Sequence, residues 1–148
     1  MKLNLKNQGL KFYFNLAVLG IGLLLSVLFF ILDVVIVGAN ISFTDRSWLV
    51  FLFVASGCLV SALGLFFHLD FLSLPGSILI GCGLGTHLYQ STFPWADLGT
   101  AVPFFTNNMD RAREISVFYT IFLVLFALLL VFSIVFNFME MKKKEVKE

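Results

Sequence analysis

Charge is scarce in this chain. Lys, Arg, Asp and Glu make up 13% of its 148 residues, where a soluble domain carries roughly 25%. That deficit excludes a soluble globular domain, a disordered tail and a nucleic-acid binder, each of which needs charged surface. The formal net charge is only +1, so no global field steers acidic or basic partners.

Cysteine and histidine are equally sparse. Cys58 and Cys82 lie inside apolar runs, without C-x-x-C spacing or a neighbouring His pair. This excludes a zinc site, a thioredoxin-like motif and a disulfide-braced loop, and leaves both as small packing residues. His68 and His87 are the only histidines. The helical rise from Pro75 to His87 alone is about 18 Å, so the pair cannot share a metal or haem within one copy. Each reads as an interface residue; the alternatives are a hydrogen-bonded pair of His68 with Asp70 and an outer cavity lined by His87 with Tyr89.

Catalytic sets are missing too. No nucleophile has an adjacent base, no phosphate loop is present, and no carboxylates pair on one helix face. The Gly81-Cys-Gly-Leu-Gly85 run follows no strand and is not a dinucleotide fingerprint. No catalytic residue, cofactor or metal is therefore assigned. Asn40-Ile41-Ser42 matches a glycosylation acceptor, a pattern short enough to occur by chance.

What the chain has is apolar bulk: 59% hydrophobic residues, including 19 Phe. A bilayer core about 30 Å thick needs roughly 20 apolar residues per helix. Four runs are read as crossings, at residues 12–37, 48–69, 74–89 and 115–139. The first exceeds the roughly 7–15 residues of a signal-peptide core and is read as an uncleaved helix. The reading is an all-α integral membrane bundle of four transmembrane helices in a single domain. Lys2, Lys6 and Lys11 precede the first run, and Lys142, Lys143, Lys144 and Lys147 follow the last. Basic flanks stay on the cytoplasmic side, which places both termini there, in the plasma (cell) membrane. The residue 90–114 segment is then an apolar outer loop, and residues 140–148 a Lys-rich cytoplasmic tail.

Local signals set the expected boundaries. Gly38 to Asn40 stop the first helix, and Thr44 or Asp45 caps the second, with Trp48 at the interface. Pro75 falls in the first turn of the third helix. Asn107 or Asn108 caps the fourth, with Asp110 and Glu114 in its first turns.

Small residues recur on the two middle helices: Gly57, Ser61 and Gly64 on the second, Ser77, Gly81 and Gly85 on the third. Such stripes let helix backbones approach closely. They are expected to pack on each other, or to leave one stripe for a partner. The fourth helix, with Phe118, Phe122, Phe126, Phe132 and Phe136, is expected to face lipid, or else a broad apolar partner. Three residues form the polar candidates. Asp33 is the only acid inside an apolar run, and such a carboxylate is a functional hypothesis by default. Asp97 lies in the apolar loop beside Trp95. His87 lies near the outer end of the third helix.

The expected function is a non-catalytic membrane subunit or accessory protein. Its partners are the lipid bilayer and another integral membrane protein or a homo-oligomer, with no nucleic acid. One alternative is a transporter or channel protomer that forms its pathway by oligomerising, with Asn15, Ser26, Asp33 and Thr86 lining it. Another is a membrane enzyme acting on a lipid or quinone through Asp97 and His87.

Overall fold

A computed structural model describes residues 10–38, 47–67, 69–100, 102–106 and 108–145. The fold is all-helical, with no strand among the described residues. The helices are α1 (Leu10–Ile36), α2 (Ser47–Phe67), α3 (Ser73–Leu98) and α4 (Met109–Glu145), with a 3-10 turn, Asp70–Leu72, before α3. Three of them hold stretches long and apolar enough to cross a membrane, at Phe12–Ile36, Ser47–Phe67 and Met109–Val135. The protein is a membrane four-helix bundle by this measure. The fourth helix, α3, falls short because its buried face carries Ser77, His87, Gln90, Ser91 and Asp97.

Each helix runs antiparallel to the next. Phe12 packs on Phe66 and Phe30 on Phe51, at ring separations of 5.8 and 5.5 Å, which aligns α1 against α2. Gly57 meets Gly76 and Ile80 while Val54 meets Gly83, which aligns α2 against α3. Ser77 shares a 2.8 Å hydrogen bond with Ser133, and His87 packs on Tyr119, which aligns α3 against α4. The start of α1 and the end of α4 therefore share one end of an up-down-up-down bundle.

The helix ends have local causes. Gly38 adopts a φ of 80° just past α1, the left-handed position that glycine takes at helix C-termini. Its N–H and that of Val37 both donate to the Asp33 carbonyl, at 3.3 and 2.9 Å. Arg111 of α4 donates to the Val37 carbonyl at 3.0 Å, placing a cation at the negative end of α1. Asn108 caps α4, its side-chain oxygen accepting from the Asp110 N–H at 2.9 Å. Thr44, Asp45, Asn107 and His68 lie outside the described residues.

Several sequence-based boundaries are corrected. The third helix continues past residue 89 to Leu98, through a buried Pro94. The long loop expected at 90–114 shrinks to the segment from Gly99 to Asn108, because residues 90–98 extend α3 and Met109 already begins α4. The continuation is driven by a stripe. Gly76, Ile80, Gly83, His87, Gln90, Pro94 and Asp97 are buried at alternating steps of three and four, so one face of α3 stays against the bundle through its last turn. Proline inside such a helix is tolerated where neighbours satisfy the freed carbonyl. α4 likewise persists to Glu145, across a Met, Glu and Lys segment of good helix formers.

The phenylalanines of α4 are a second correction. Phe118, Phe122 and Phe126 are buried, and only Phe132 of the described set faces outward. Spaced by four, the three form one face. They close around the fully buried Phe29 of α1, with ring centroids 5.9, 5.2 and 5.6 Å away. This aromatic cluster is the centre of the core.

Candidate functional site

One polar layer crosses the bundle, and each helix contributes to it. Asp33 of α1 is 2% exposed. The Tyr119 hydroxyl of α4 donates to its Oδ1 at 2.8 Å. Ser47, at the start of α2, also hydrogen-bonds the Asp33 carboxyl. Gln90 of α3 donates from Nε2 to the Ser47 Oγ at 3.2 Å. The donors thus converge on one carboxyl, from Gln90 through Ser47 on one side and from Tyr119 on the other. A carboxyl buried among apolar helices needs such donors, because unpaired charge is costly there.

His87 sits directly beneath this layer. It is fully buried, boxed by Phe29, Phe126 and Tyr119 at ring separations of 4.8, 5.6 and 5.2 Å. Its Nε2 bonds the Tyr119 carbonyl oxygen at 2.9 Å. That pairing makes Nε2 the protonated nitrogen and leaves Nδ1 as a bare lone pair. Nδ1 has no partner. Asp33 and His87 are brought to one region through Tyr119, although nothing in their sequence neighbourhoods links them. Tyr89 is exposed on the other side of α3, so it shares no cavity with His87.

Asp97 belongs to a different structure. Its carboxylate accepts the N–H of Phe104 at 2.9 Å and of Phe105 at 3.1 Å. It also accepts the N–H and hydroxyl of Thr106, both at 2.7 Å. The side chain ties the last turn of α3 to the segment leading into α4. Burial pushes its carboxyl up, but the donors from Thr106, Phe105 and Phe104 outweigh this and hold it below the usual carboxylate range. Asp97 is 1% exposed, with its lone pairs committed to the chain itself.

The small-residue stripes divide between inside and outside. Gly57, Ser61 and Gly64 are buried on α2. A Cβ on Gly57 would stand 2.7 Å from the Gly76 carbonyl oxygen, and one on Gly83 would stand 2.6 Å from Val54. The partner surface on α3 is therefore Gly76 and Gly83, not Gly81 and Gly85. A Cβ on Gly81 would meet only the tips of Leu130 at 3.9 Å, and one on Gly85 would meet nothing within 4 Å. Ser77 turns toward α4 and its Ser133. The offset follows from the buried face of α3, from which Gly81 and Gly85 lie well over 90° away at 100° per residue.

Other candidates scatter. Ser26 donates to the Leu23 carbonyl and Thr86 to the Cys82 carbonyl, each within its own helix. Cys58 is buried and Cys82 exposed. No group of three metal-ligating side chains occurs among the described residues. Sequence reasoning passed over Ser47, Gln90 and Tyr119. Tyr119 carried a signal, as the one tyrosine inside the last apolar run. Gln90 carried another, as a polar residue in step with His87, Ser91 and Pro94.

Compared with protein families, curated proteins and solved structures, the chain matches none. Its functional reading rests on its own residues.

Proposed function

We propose that the protein is a non-catalytic integral membrane subunit or accessory protein that packs laterally against another membrane protein. The observation that carries this is the Gly81–Gly85 pair, where an added Cβ would touch only the tips of Leu130 at Gly81 and nothing within 4 Å at Gly85. Glycines four apart in an apolar helix make a flat strip on which a second helix backbone packs closely. Exposed Cys82 lies beside that strip. In this reading α3 is the fourth crossing and both termini are cytoplasmic. Basic residues at both chain ends support it, as does the antiparallel order of the helices.

The two alternatives find less support. Asp33 is engaged by Tyr119 rather than turned to an outer cavity, and Ser26 and Thr86 bond their own helices. A pathway lined by these residues would need each of them released. For an enzyme, His87 is fully buried and Asp97 is saturated with backbone donors.

The test is native mass spectrometry of the protein extracted gently from its own membrane, as wild type and as Gly85→Leu. A larger, different protein is expected to accompany the wild type and to be lost from the variant. A wild-type chain that leaves the membrane alone, or a companion that Gly85→Leu retains, overturns the proposal. A homo-oligomer without companions moves the weight to the channel reading.

A further inference from the structure

At the bundle end that carries the α3–α4 connection, an open groove of about 540 Å³ runs down the outside of α4. Trp95 and Leu98 of α3 form one wall, and Val117, Ile121 and Val124 of α4 line the other. Thr120 also faces it, but its hydroxyl is already bonded to the Ser116 carbonyl at 2.7 Å. The groove has one unmet polar demand. Ser116 lines it, is only 5% exposed, and its hydroxyl has no partner. A buried hydroxyl without an acceptor is unusual and calls for an explanation.

Arg113 supplies the second observation. It precedes Ser116 by three residues and Val117 by four, so it stands on the same face of α4, one turn nearer the helix start. It is exposed. Arg111, by contrast, is engaged by the Val37 carbonyl. Asp110 and Glu114 balance the two arginines in number, so any selection here comes from the guanidinium fork rather than from a basic field.

Read along α4, the face presents a cation, then a lone hydroxyl, then an apolar channel. A glycerophospholipid has the same order: phosphate, ester oxygens, acyl chain. The geometry points to a bound glycerophospholipid in this groove. Its phosphate would meet Arg113, an ester oxygen would accept from Ser116, and one acyl chain would lie along Val117, Ile121 and Val124. Guanidinium and phosphate match as a charge-assisted, two-pronged pair. The site lies apart from the Gly81–Gly85 strip and does not depend on its role.

The test uses the full-length protein, stripped of lipid in detergent. It is titrated with phosphatidylglycerol or with diacylglycerol of the same chains, and bound lipid is counted by native mass spectrometry. One phosphatidylglycerol per chain is expected, with diacylglycerol about tenfold weaker. Arg113→Gln is expected to bring phosphatidylglycerol down about tenfold, to the diacylglycerol level. Val124→Trp, which fills the channel, is expected to weaken both lipids, and Val131→Trp, beyond the groove on α4, neither. Equal retention of the two lipids by the wild type overturns the inference. So does unchanged phosphatidylglycerol binding in Arg113→Gln, or a co-purifying protein that Val124→Trp displaces while lipid binding stays the same. Arg113 is exposed, so its variant reports on binding even where Val124→Trp fails to fold.

Discussion

At the residue scale, the buried carboxyl of Asp33 and the committed carboxylate of Asp97 behave differently, and each can be tested separately. Tyr119 donates to Asp33 from across the bundle. Tyr119→Phe is expected to cost about 1–3 kcal/mol, because it leaves a buried acceptor short of a donor. In an Asp33→Leu background the same change is expected to cost clearly less, since the carboxyl that needed the donor is gone. Unfolding of the four proteins in detergent checks this, and an equal cost in both backgrounds would show that the two side chains are not coupled. Asp97→Asn removes one acceptor oxygen from the clamp on residues 104–106 and is expected to cost about 2–3 kcal/mol. Its pH dependence has a definite sign. The folded-state pKa is depressed, so the stabilisation is fully present above the unfolded value near ~4 and is lost as pH falls through the folded value. Thermal unfolding of the wild type is therefore expected to fall more steeply on acidification than that of Asp97→Asn. Parallel curves would remove the clamp from the account.

At the element scale, the two faces of α3 make opposite predictions for glycines two residues apart. A Cβ on Gly83 would lie 2.6 Å from Val54, and one on Gly85 would meet open space. Gly83→Leu is expected to lose at least 1–3 kcal/mol of stability through overpacking against α2. Gly85→Leu is expected to leave the fold unchanged or slightly steadier, since it replaces glycine in a helix interior. Denaturation of both variants in detergent separates them. The same element shows why the sequence reading stopped α3 too early. Gln90, Ser91 and Pro94 look like loop residues when a helix is recognised by hydropathy. They are buried on one face, and only their step of three and four, shared with His87 and Asp97, marks them as helix.

At the scale of the whole molecule, the two thiols report the packing. Cys58 is buried and Cys82 is exposed. In detergent, N-ethylmaleimide is expected to modify Cys82 quickly and Cys58 only on unfolding, as read by mass spectrometry of the peptides. In the native membrane Cys82 is expected to be protected if a partner covers the Gly81–Gly85 strip. Two thiols that react at one rate would contradict the bundle. Orientation follows from a single cysteine at Lys144, in a chain without Cys58 and Cys82. With both termini cytoplasmic, an impermeant maleimide reaches it only after the membrane is opened. Labelling of intact cells would reverse the topology.

Length, apolar runs and the scarcity of charge were enough to establish a helical membrane protein, because a bilayer admits few ways to satisfy a backbone. Three of the four helices stand out by hydropathy alone. Asp33, His87 and Asp97 could also be singled out, since polar groups among apolar ones are rare and costly. Their roles could not. Whether Asp97 binds a ligand or its own chain depends on where residues 104–106 return, and this is a matter of how α3 and α4 meet. Whether Asp33 faces lipid, a pathway or Tyr119 depends on the rotation of α1 against α4. The same holds for the phenylalanines of α4, which are as compatible with lipid as with a core. Hydrophobic contact carries no direction, so composition sets the solvent of a helix but not the face it turns inward. That face is chosen where Gly57 meets Gly76, where Phe29 fills the space between Phe122 and Phe126, and where one carboxyl finds its donors.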